Sequence, residues 1–275
     1  MTPRLLSLLL ATAIAGAAPF VGRVESVDLA AETARLLSDD GSGLTARIGA
    51  GDLAVGWAGR RVRGDLIESE GRARLERIFP ADPEELRRVA EVTDALRRDT
   101  VERGRLAARA AGDLAPAWML WDQSGRLVPS SDLRGKPVVL NFIFTRCHSP
   151  TMCPAATASM AALAGKLRQA GLVGQVHLVS ISFDPGYDSP GVLRAYAEAR
   201  GVDPAQHRLL TGDARQIKDL MAQCGIQTIQ ADGTIVHNAA TLLISAEGRI
   251  VSRREGAPFD AEDLIPLIRR EIPGR

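Results

Sequence analysis

Residues 138–154 read VVLNFIFTRCHSPTMCP. Val138–Phe144 is a mostly apolar run, which suits a strand buried on both faces. The loop after it holds two cysteines, Cys147 and Cys153, at C-x5-C spacing. Pro154 then opens a helical pattern that runs to Gly171, with Met160, Leu163, Ala164 and Leu167 on one face. Proline is tolerated at the first position of a helix, which puts Cys153 about at the N-cap. A thiolate there gains from the helix N-terminus, so its pKa is expected to fall and metal binding or redox reactivity to be favoured. A plain structural disulfide is the alternative use of the pair.

Val176–Phe183 (VHLVSISF) is a second buried strand, and strand–helix–strand demands a parallel pair with a right-handed crossover. Ser189-Pro190 caps a helix carrying Val192, Leu193 and Tyr196, and Asp213 caps another carrying Ile217, Leu220, Met221 and Cys224. Thr241–Ile244 and Arg249–Arg253 flank a turn at Ala246-Glu247-Gly248, and a last helix carries Leu264, Leu267 and Ile268. This order matches a thioredoxin fold. His237 lies just before the strand that opens the closing hairpin, which in that fold faces the N-terminus of the first helix. It is therefore placed to meet both sulfurs. Two thiolates and an imidazole suit a soft ion, Cu(I) or Cu(II), and suit zinc less without a fourth ligand.

Upstream, Met1–Ala17 reads as a signal peptide: Arg4 is the basic end, Leu5–Ile14 the apolar run, and Ala15-Gly16-Ala17 the cleavage site. The reading is an exported, periplasmic protein, membrane-anchored only if the leader stays uncleaved. Residues 18–81 carry five short strand patterns without a helix, Phe20–Asp28, Thr33–Leu37, Leu44–Ile48, Arg61–Ile67 and Arg72–Phe79, which suggest a small all-β barrel with OB-like layout as one option. This segment has no His, Cys or Met, so no metal is assigned to it. Arg60, Arg61 and Arg63 read as a solvated strand face in preference to an anion site. A helix begins at Asp82, with Pro83 and Glu85 completing a capping box, and runs to Arg109; residues 82–112 form a helical linker before an α/β domain at 113–275.

Lys and Arg total 34 against 33 Asp and Glu, a net charge of +1, which leaves no electrostatic footprint for nucleic acid. Three cysteines are too few for a disulfide scaffold and enough for one pair plus Cys224, which sits on an apolar helix face. His148 and Met152 read as loop filler, with auxiliary ligation as the alternative; Met160 and Met221 read as core. Asp184 and Asp188 follow a strand at the cysteine end, where they read as turn residues or as groups that shape the site.

With Gly135-Lys136-Pro137, Phe144-Thr145-x-Cys147, Cys153-Pro154, Asp184-Pro185, Asp188-x-Pro190, Leu210-Thr211-Gly212 and His237 four residues before Thr241, the stretch Trp118–Gly256 resembles the Sco/SenC/PrrC family of thioredoxin-fold copper proteins. The resemblance implies copper ligation by Cys147, Cys153 and His237, with the cysteines also a redox pair. It further implies copper delivery, or thiol reduction of a copper site, in assembly of cytochrome c oxidase or a similar cuproenzyme. Partners would be that cuproenzyme subunit and a thiol-disulfide reductant, and the protein a non-enzymatic metallochaperone. Three features depart from the family pattern: C-x5-C in place of C-x3-C, a leader read as cleaved in place of a membrane tether, and the N-terminal barrel. A thiol-disulfide oxidoreductase or redox sensor of the same fold is the rival, although such enzymes usually carry C-x-x-C and a cis-proline where Ala240 stands.

Overall fold

The computed structural model describes residues 17–104, 108–231 and 234–274. Its N-terminal part is a closed barrel of β1 (Ala17–Asp28), β2 (Thr33–Ser38), β3 (Gly43–Arg47), β4 (Arg61–Ser69) and β5 (Arg72–Pro80), in the order β1-β2-β3-β5-β4, with β1 and β4 closing the ring. Alternation fills it: Phe20, Val24, Leu36, Val62, Leu75 and Ile78 point inward with Trp57. Gly22 is required where β1 crosses β2, because a Cβ there would lie 2.3 Å from the Leu37 carbonyl oxygen.

The expectation of a barrel without a helix is corrected: α1 (Ala50–Val55) lies between β3 and β4. Six residues between Gly49 and Gly56 are too few to show helical periodicity. This short helix packs on α4 (Pro190–Ala199) of the following domain, so closely that a Cβ at Gly51 would stand 1.9 Å from the Gly191 carbonyl oxygen. Of the arginine cluster, Arg60 departs from the expected solvated strand face, while Arg61 and Arg63 stay at the surface. Arg60 is half-buried between the two parts, stacked 4.6 Å from the Trp57 ring centroid and donating to the carbonyls of Ser124 (3.1 Å) and Gly125. Arg61 pairs with Asp39, and Arg63 lies over the Phe79 ring.

Next comes α2 (Pro83–Arg103), capped as expected by Asp82, whose carboxylate accepts from the Glu84 and Glu85 backbone N–H groups. It stops six residues short of Arg109, at Gly104, which has φ 88°. Its buried face is tied to α5 (Ala214–Gln223): Gln216 donates to Thr93, Gln223 donates to Thr100, and Arg97 pairs with Asp219 at 3.0 Å.

The remaining chain forms a seven-stranded sheet, ordered β14-β13-β8-β9-β10-β6-β7. Its strands are β6 (Met119–Asp122), β7 (Leu127–Pro129), β8 (Val138–Ile143), β9 (His177–Ser182), β10 (His207–Thr211), β13 (Ala240–Ile244) and β14 (Ile250–Glu255). β8, β9 and β10 are parallel; the flanking pairs are antiparallel. All six residues of β8 are buried, as its apolar run demands. Alternate residues feed opposite layers. Val139 and Leu178 meet Met160, Leu163 and Leu167 of α3 (Cys153–Gln169) and Leu264 and Ile268 of α6 (Ala261–Arg270), while Leu140, Phe142 and Ile181 meet Leu193, Ile217 and Leu220. A separate hairpin, β11 (Thr228–Ala231) with β12 (Thr234–His237), stands beside the sheet. Among the described residues no helix is long and apolar enough to cross a membrane; residues 1–16, where the leader is expected, lie outside them.

Candidate metal centre

The site sits at the C-terminal ends of β8 and β9, where the chain leaves the sheet. Met152 takes the N-cap position and Cys153 is the first residue of α3, one position inside the helix from where the sequence placed it. Cys153 is buried; its sulfur receives the Phe144 backbone N–H at 3.5 Å and lies 3.6 Å from His237 Nε2. Cys147 is half-buried, with its sulfur 3.9 Å from the Ser149 carbonyl. All three cysteines are free thiols.

His237 ends β12, not the loop before β13. Its Nδ1 is 2.7 Å from the Asn238 carbonyl, which can only accept, so Nδ1 carries the proton and the Nε2 lone pair faces Cys153. Phe183 and Phe144 pack edge-on against the ring, with centroids 4.7 and 5.9 Å away. Burial lowers the imidazole pKa, partly offset by the Asn238 hydrogen bond, so the ring is held neutral and its lone pair free.

For Cys153 the expected fall in pKa is corrected. Burial pushes the thiol up to about 12, and the neighbouring Cys147 adds to the rise through its charge and a hydrogen bond. The Phe144 N–H opposes this and loses. A buried thiol at a helix start therefore keeps its proton until a metal displaces it.

Among the described residues, no three His, Cys, Asp or Glu side chains converge as a ready-made cage. Cys153 and His237 face each other, and Cys147 stands on the adjoining loop, near enough to act on Cys153. Asp188 fixes the start of that loop. Its buried carboxylate accepts from the Thr145 N–H (3.0 Å) and from the Thr145 and Ser182 hydroxyls. Asp184 pairs with Arg146 at 2.6 Å, and Arg146 stacks on Tyr187. Both aspartates thus shape the site. The sequence reading missed Thr157 and Tyr196: Thr157 Oγ1 donates to the Cys153 carbonyl at 3.0 Å and meets the Tyr196 hydroxyl at 2.9 Å. The available signal was a threonine four residues after Cys153 on an otherwise apolar helix face. His148 is exposed, Met152 packs partly on the core, and Met160, Met221 and Cys224 are buried.

The SCO1/SenC family model matches residues 107–272, wider than the stretch that carried the resemblance. An SCO1 protein homolog of Bacillus subtilis is 27% identical over 146 residues, which is 50% of this chain and 74% of that protein. A SCO1/SenC family lipoprotein from Bacillus anthracis superposes with a TM-score of 0.53 at 28% identity, covering 60% of this chain and 99% of the other. ScoI of Arabidopsis thaliana, solved with copper bound, gives 0.51 at 25% identity, covering 59% and 100%.

Proposed function

The chain belongs to the SCO1/SenC family, and we propose that it carries copper on Cys147, Cys153 and His237 during assembly of cytochrome c oxidase or a similar cuproenzyme. The observation that carries this reading is the 3.6 Å approach of the Cys153 sulfur to the free lone pair of His237 Nε2, with Cys147 on the adjoining loop. The copper-bound plant relative supports the choice of metal. Copper entering the reduced site exchanges with the two thiol protons, and the loop carrying Cys147 closes on the ion. Oxidation of the copper-bound dithiolate to a disulfide yields two electrons, the two protons having already left when the metal bound, and removes both thiolate ligands, so a partner that takes those electrons also discharges the metal. The leader Met1–Ala17 directs export to the periplasm, where a thiol reductant restores the pair. The barrel is of OB-like type and holds no metal; its role is to pack α1 on α4, behind the loop that Asp188 anchors.

X-ray absorption of the copper-loaded, reduced protein tests the ligand set. Two sulfur scatterers and one nitrogen are expected, with the nitrogen lost in His237→Ala. A shell that His237→Ala leaves unchanged refutes the three-ligand site.

A further inference from the structure

At the opposite end of the sheet from the cysteines, a cavity of about 200 Å³ opens at the N-terminal ends of β8, β9 and β10. Its polar lining is Lys136, His177, Arg208 and Gln206, and its walls are the apolar side chains of the α3–β9 connection. Strand register brings the cations together. β8 pairs Val138 with His177, and β9 pairs Val179 with Arg208, so His177 and Arg208 leave the same face of the sheet two residues apart. Lys136 arrives from the loop two residues before Val138.

No Asp or Glu lines the cavity, and among the described residues neither Lys136 nor Arg208 forms an ion pair. The acid nearest in sequence, Asp203, accepts from the Ala205 N–H at 2.9 Å and from the Gln206 side chain at 2.8 Å, and it feels Arg168 as its charged neighbour. Lys136 is exposed and His177 and Arg208 are half-buried, so three cationic or donor groups edge one cavity that no carboxylate lines, an arrangement that attracts an anion. We propose that this pocket binds a phosphate-type oxyanion, held by the Arg208 fork, the Lys136 ammonium and an imidazole N–H of His177. Three donors from separate chain segments suit a tetrahedral oxyanion better than a planar carboxylate, and the apolar walls leave room for the organic part of a phosphate ester.

His177 reports on occupancy. Burial, then Arg208 and Lys136, hold its pKa down at about 4, so it is neutral at pH 7. A bound anion favours the charged ring and moves that midpoint upward. The test uses the full chain with inorganic phosphate, followed by calorimetry and by the NMR titration of His177, and with vesicles of phosphatidylglycerol or phosphatidylcholine in a sedimentation assay. The expected result is saturable binding that raises the His177 midpoint by about one unit or more and that weakens at least about tenfold in Lys136→Gln and Arg208→Gln, while copper stoichiometry stays unchanged. Binding of inorganic phosphate identifies a free phosphate or small ester as the source. Binding only to phosphatidylglycerol vesicles identifies a lipid headgroup. Absence of saturable binding to both inorganic phosphate and phosphatidylglycerol vesicles, a His177 midpoint that does not move, or binding undiminished in both Lys136→Gln and Arg208→Gln overturns the proposal.

Discussion

Alkylation of the reduced, metal-free protein by iodoacetamide at pH 8 separates two opposed effects on Cys153. The start of α3 favours the thiolate; burial disfavours it. The structure has burial winning, with the pKa rising from 9.0 to about 12. At pH 8 that rise cuts the thiolate fraction by about 10³. A more basic thiolate is a better nucleophile, and a Brønsted slope of about 0.4–0.5 returns roughly 15- to 30-fold of the loss. The net expectation is alkylation about 30- to 60-fold slower in the folded chain than at the same cysteine in urea, with steric burial slowing it further. Quenched time points and peptide mass mapping read each cysteine separately. Equal or faster labelling of Cys153 in the folded chain would show the helix N-terminus outweighing desolvation, and the account of this thiol would be wrong. The same argument makes copper uptake at pH 7 release about one proton from Cys153.

Asp52 sits buried against α4, and burial raises its pKa from 3.8 to about 6 despite the hydrogen bond from Trp57. Because the folded state binds its proton more tightly, stability falls as pH rises from about 4 to about 6 and the loss, about 3 kcal/mol, persists above that. Asp52→Asn keeps an acceptor for Trp57, so urea unfolding at pH 7.5 is expected to show a gain of that order and a flatter pH profile; an unchanged pH slope contradicts it. Asp188→Ala strips the Thr145 N–H and two hydroxyls of their acceptor and should cost about 3 kcal/mol while weakening Cu(I) retention against a chelator; full retention would mean the loop is not anchored there. Gly51→Ala drives a methyl into the Gly191 carbonyl and should cost about 1–3 kcal/mol in urea; an unshifted midpoint would show that α1 and α4 do not pack this closely.

Long periodic segments were readable because their own side chains record burial. The apolar run Val138–Phe144 and the alternation around Phe20 and Val24 need no partner to be recognised. The cysteine pair and His237 were readable because strand–helix–strand order fixes which loops share one end of a sheet. What escaped notice depends on contacts remote in sequence. α1 spans six residues and is set by its packing on α4, and Arg60 looks like a surface charge until Ser124 and Gly125 supply carbonyls. β12, which presents His237, pairs with β11 in a hairpin of four-residue strands, too short to stand out in the sequence. The Cys153 pKa was misjudged in sign because a helix N-terminus is visible in a sequence, whereas the depth at which the sulfur lies beneath Phe144 and His237 is not.

Anaerobic titration of Cu(I) into the reduced chain, with a competing chelator, addresses the copper site most directly. The account predicts one copper per chain, none retained once Cys147 and Cys153 are joined as a disulfide, and affinity falling at least about tenfold in each of Cys147→Ala, Cys153→Ala and His237→Ala. Stoichiometric copper on the disulfide form, or unchanged affinity in His237→Ala, would contradict it.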